Sequence, residues 1–62
     1  SGRIVASASE ALKRIQVFTP MGRWVRTLYP ARPTYTFDLP AGIYIIRTEI
    51  AHDQKTVKLR VL

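Results

Sequence analysis

The sequence predicts an all-β sandwich or barrel built from six short strands. Pro20, Pro30, Pro33 and Pro40 all fall between apolar runs, where a residue with no N–H to give to a ladder is tolerated. The runs alternate with period two and are rich in Val, Ile, Thr and Tyr. No stretch of about ten residues keeps its apolar side chains near the helical spacing of 3.6. Turn signals recur roughly every eight to twelve residues, as they do in sandwiches and barrels.

The first strand, residues 3–8 (Arg-Ile-Val-Ala-Ser-Ala), is weak because it is diluted by alanine, and Ser9, Glu10 and Ala11 read as a turn. Residues 12–18 form the second strand, with Ile15 and Val17 on one face. Thr19-Pro20-Met21-Gly22 has proline second and glycine last, a favoured type I pattern, and joins this strand to residues 23–29 as a hairpin. Pro30-Ala31-Arg32-Pro33 reads as a loop. In residues 34–39, Tyr35, Phe37 and Leu39 alternate cleanly with Thr34, Thr36 and Asp38. Residues 43–50 place Ile43, Tyr44, Ile45 and Ile46 on both faces, as expected of a strand with sheet neighbours or cover on both sides. Ala51-His52-Asp53-Gln54 is then a turn into the final strand, which has Val57, Leu59 and Val61 on one face and Lys58 and Arg60 on the other. Gly22 and Gly42 stand where the chain turns with positive φ or passes close to another backbone. The expected core is Ile15, Val17, Val25, Phe37, Tyr44, Ile46, Val57 and Leu59.

Sixty-two residues leave room for one domain. A chain of this size buries only about 60% of the surface it exposes when unfolded. There is no cysteine, and so no disulfide, thiolate nucleophile or Cys-rich zinc site. Ten Lys and Arg against four Asp and Glu give a net charge of +6. The cations are spread along the chain with never more than two adjacent, the distribution expected of alternating strands with solvated faces. No apolar run approaches the roughly 18 residues needed for a membrane-spanning helix. Nor does the N-terminus carry the apolar core of a signal peptide.

Catalytic chemistry finds little to work with. His52 is the only histidine and reads as a solvated turn residue beside Asp53, without partners at ligand spacing. Ser7 and Ser9 flank Ala8 in a weak strand, far in sequence from that histidine, and no Gly-x-Ser-x-Gly elbow exists. Glu10, Asp38, Glu49 and Asp53 are scattered, and three glycines make no phosphate-cradling loop. The expectation is a protein that is not an enzyme and holds no cofactor or metal.

Three segments carry a family resemblance. Ile15-Gln16-Val17-Phe18 leads through a turn to Gly22-Arg23 and Val25-Arg26. Phe37-Asp38-Leu39-Pro40-Ala41-Gly42-Ile43-Tyr44-Ile45-Ile46-Arg47 follows, and Lys55-Thr56-Val57-Lys58-Leu59-Arg60-Val61 comes last. In this order and spacing the chain resembles the C-terminal sorting domain of type IX secretion cargo, the Por secretion system tail family. The resemblance runs from Ile15 to the end. The first turn reads Thr-Pro-Met-Gly where the family usually has an acidic residue, and the family's Tyr-Pro-Asn-Pro-type box would stand before Ser1-Gly2, where the sequence begins, so that it is either cut away or never existed.

The resemblance implies a small immunoglobulin-like antiparallel β-sandwich of six to seven short strands, occupying residues 1–62 as a single domain at the end of a larger secreted protein. It implies a non-catalytic signal that directs its parent across the outer membrane, through the periplasm to the cell surface or medium. The expected partners are the outer-membrane secretion machinery and, in many cargoes, a surface sorting peptidase. Lys55, Lys58, Arg60 and Leu62 are the expected contacts, and Lys55 is placed with Lys58 and Arg60 on the solvated face. Gly22, Gly42, Tyr44, Arg47 and Val61 are expected to hold the geometry. If the missing box normally supplies a strand, an exposed sheet edge follows, and with it a homodimer or strand-exchanged oligomer. Two other classes compete: an adhesive or structural immunoglobulin-like module of a surface protein, and a basic nucleic-acid-binding β-barrel. The last is disfavoured, and no nucleic-acid partner is expected, because only Trp24 and Tyr29 among the aromatics look free to stack on bases.

Overall fold

The computed structural model describes residues 2–62 and contains six strands: β1 (Gly2–Leu12), β2 (Arg14–Phe18), β3 (Trp24–Leu28), β4 (Arg32–Leu39), β5 (Gly42–Glu49) and β6 (Gln54–Val61). They form two antiparallel sheets, a pair β1-β4 and a four-stranded sheet in the order β3-β2-β5-β6. The core lies between them, with Leu12 from β1, Ile15 and Val17 from β2, and Phe37 and Leu39 from β4. Tyr44, Ile46 and Val61 complete it from β5 and β6. Side chains drawn from both sheets make this a β-sandwich, as the period-two pattern requires.

Two turn and loop expectations are corrected. Ser9, Glu10 and Ala11 do not turn; they stay inside β1, exposed, as part of a bulge in which Ala8 to Ala11 oppose Pro33 alone. The corner comes instead at Lys13, where the chain passes from one sheet to the other and the Lys13 N–H donates to the Glu49 carbonyl at 2.7 Å. Leu12 thus ends β1 and is fully buried. Arg32 and Pro33 belong to β4 and not to a loop; β4 has one strand neighbour, and proline costs nothing on an edge that has no ladder. The turn itself is confined to the residues before Arg32, where Ala31 has φ 57° and its N–H donates to the Leu12 carbonyl.

Val25 and Val57 are not core. The register between β2 and β3 slips between Val17 and Phe18, so that Val25 is the extra residue of a bulge and is 36% exposed. Val57 lies on the core-facing side of β6 but is 45% exposed, because the two-stranded sheet does not extend over it. Leu59 is half-buried for the same reason.

The hairpins form as the sequence predicts. In the first, the Gly22 N–H donates to the Thr19 carbonyl at 2.9 Å and Thr19 N–H to the Arg23 carbonyl at 2.8 Å. Gly22 has φ 87°, the left-handed conformation that closes such a loop. In the second, β5 and β6 pair without a slip from Gly42–Val61 to Glu49–Gln54. β5 sits between β2 and β6; its Tyr44 and Ile46 face the core, while Ile43 and Ile45 lie on the outer, uncovered face of the sheet.

Candidate recognition surface

Residues directly opposite in an antiparallel pair share a face, so the register defines the outer surface of the four-stranded sheet. One row crosses it as Trp24, Phe18, Ile45 and Lys58, and a second as Thr27, Gln16, Arg47 and Thr56. Ile43 and Arg60 form a third pair on the same face. An apolar strip therefore runs across the sheet and ends in the cations of β6. Trp24 is 61% exposed and Ile43 45%, while Phe18 and Ile45 are half-buried.

Local contacts hold this surface in shape. The Trp24 Nε1–H donates to Thr27 Oγ1 at 2.7 Å, bridging the two rows. The Arg47 guanidinium carbon lies 6.0 Å from the centre of the Phe18 ring, within cation–π range. Its Nε is buried and without a hydrogen-bond partner among the described residues. At one end, Arg14 donates to Glu49 in an ion pair. The hydrogen bond from Arg14 holds the Glu49 carboxyl below its ordinary range, and the same bond raises the Arg14 guanidinium.

Of the expected contacts, Lys58 and Arg60 share the outer face and are exposed. Lys55 does not join them. It pairs with Thr48, whose other neighbour is the buried Ile15, and so lies on the opposite, core-facing side of the sheet. The reason is parity: Lys55 is an even number of residues from Val57 and an odd number from Lys58, which decides the face in any regular strand. Leu62 follows the end of β6 and is exposed.

The structural residues are brought together around the β4–β5 turn and the first hairpin. The Tyr44 hydroxyl donates to the Pro40 carbonyl at 2.8 Å. A Cβ on Gly42 would stand 3.3 Å from that hydroxyl, and Val61 pairs directly with Gly42. Val61 also meets β1, because a Cβ on Gly2 would come within 2.8 Å of its Cγ1.

Sequence reasoning missed the apolar strip of Phe18, Trp24 and Ile45. Its signal was a lateral one, since each strand contributes one residue and only the register aligns them. Among the described residues no three His, Asp or Glu side chains gather in a way that could hold a metal, and His52 is exposed in the β5–β6 turn. No family model, curated protein or solved structure matches the chain.

Proposed function

We propose that this chain is a non-catalytic sorting domain of the type IX secretion kind, directing a parent protein through the periplasm and across the outer membrane to the cell surface. The observation that supports the reading is the β5–β6 hairpin. The segments Gly42 to Arg47 and Lys55 to Val61, which carry the resemblance, pair in one unbroken register, and β6 is an edge strand. Such a strand offers free backbone groups along one side and the Lys58 and Arg60 side chains on its outer face. The secretion machinery would read this edge and its cations, with Leu62 beyond them. A surface peptidase would act after export.

The test replaces Lys58 and Arg60 together by Gln in a secreted reporter that carries the domain. Exposed substitutions of this kind move stability by no more than about 0.5 kcal/mol. Periplasmic retention with an unchanged melting curve is the expected result. Normal surface delivery overturns recognition of the basic face.

The exposed Trp24 in one row with Phe18 and Lys58 favours a second reading, an aromatic platform for single-stranded nucleic acid. Titration with single-stranded DNA across a salt series separates the two, because phosphate binding weakens steeply with salt and Trp24 fluorescence reports stacking.

A further inference from the structure

Two strands facing four leave part of the larger sheet uncovered. β4 lies toward β3, where the Arg26 guanidinium donates to the Asp38 carbonyl at 3.2 Å, and β1 lies against β5. β6 is covered only near its end, where Val61 is buried against Gly2. The result is an open groove of about 340 Å³ between β1 and β6, lined by Ile4, Val5 and Ala6 on one side and by Ile46, Val57 and Leu59 on the floor.

We propose that this groove binds an extended acidic peptide segment of another protein, added as a strand to the free edge of β1. β1 pairs with β4 along one edge only, so among the described residues its other edge, from Arg3 to Ser7, has no strand partner. Unpaired N–H and C=O groups in a row are a template for strand addition. A strand added about 4.8 Å from β1 lies on the side toward β6. There its alternate side chains cover Val57 and Leu59, core-facing apolar residues of β6 that the sandwich leaves open. The burial of apolar surface and the ladder bonds then act together.

Charge selects the occupant. Arg3 and Lys55 line the groove and no Asp or Glu does; Asp38 stands opposite Arg3 across the β1–β4 pair and Asp53 lies beyond Ser7 in the continuation of the cleft, so Lys55, on the inner face of β6, is the cation that meets an added strand. Lys55, displaced from the outer face, thus acquires a role on the inner one. A second copy of this chain is a poor occupant by the same argument, since each copy carries +6.

The probe is a short synthetic peptide that alternates valine and threonine, with the valine at each end replaced by glutamate so that in either strand direction one acid falls on the inward side beside Lys55; it is titrated into the 62-residue chain at low salt and followed by calorimetry and amide hydrogen exchange. The expected result is saturable binding that protects Arg3 to Ser7, and Lys55→Glu weakens it roughly tenfold. Two further peptides, N-methylated on every inward-facing residue or on every threonine, leave the protein untouched. Adjacent residues of a strand point their N–H groups to opposite edges, so one of these peptides binds and the other does not. Equal binding of both N-methylated peptides, equal binding of a peptide with lysine in place of both glutamates, or no saturation overturns the proposal. So does a chain that dimerises without peptide and protects β1 in the dimer, which assigns the edge to a second copy.

Discussion

The Tyr44 hydroxyl reaches back across the β4–β5 turn to the carbonyl of Pro40, at 2.8 Å. Its ring therefore spans from the core, where Tyr44 is buried, to the turn, and the phenol lies against Gly42. Tyr44→Phe removes the donor and leaves the Pro40 carbonyl without it, at a cost of about 1 kcal/mol. Gly42→Ala crowds the same hydroxyl, since the new Cβ would stand 3.3 Å from it. The two changes are therefore non-additive: Gly42→Ala destabilises less in the Tyr44→Phe background. A double-mutant cycle by urea unfolding checks this, and strict additivity would show that the contact is not shared.

Phe37 and Val57 should behave as opposites although both alternate toward the core side of their strands. Phe37 is buried and its ring stacks on Tyr35 with centroids 6.2 Å apart, so Phe37→Ala costs about 3–5 kcal/mol. A domain this small has only about that much stability in total. The expected outcome is loss of the cooperative thermal transition. Val57→Ala, at a position left open by β1, costs less than about 1 kcal/mol and keeps the transition sharp.

Gly22 isolates a backbone effect. No heavy atom lies within 4 Å of where its Cβ would be, yet its φ is 87°. Gly22→Ala therefore costs about 1 kcal/mol from left-handed strain alone. D-alanine at the same position, introduced by chemical synthesis, restores or exceeds the parent's melting temperature. Equal destabilisation by both enantiomers would point to an unseen steric contact.

The Arg14–Glu49 pair sets a pH dependence with a defined sign. Glu49 has a lowered pKa in the folded chain, chiefly through its hydrogen bond from Arg14. Its contribution to stability is thus full above the ordinary glutamate value and is lost as pH falls through the lower, folded-state value. Arg14 stays charged throughout that window. Glu49→Gln should flatten part of the acid side of the stability profile and leave the neutral-to-basic side parallel to the parent. High salt should shrink the difference, because both side chains are partly exposed.

The sequence alone determined the number and order of the strands, their alternation and the two hairpins, because each depends on neighbours within a few residues; it placed a turn at Ser9, Glu10 and Ala11 and a loop at Arg32 and Pro33 where β1 and β4 continue. Prolines and glycines punctuate the chain, and Phe37, Leu39, Tyr44 and Ile46 reach the core as their period-two pattern requires. The face of Lys55 was equally legible, as parity with Val57 decides it. What only the tertiary structure decided is how the strands align sideways and how far one sheet covers the other. The bulge at Val25 and the wide bulge from Ala8 to Ala11 are set by pairing with β2 and β4, which no local window contains. The apolar strip of Phe18, Trp24 and Ile45 exists only once three strands are in register. The groove over Val57 and Leu59 exists because two strands face four, and a solvent-exposed valine on an inward face cannot be told from a buried one until its cover is known.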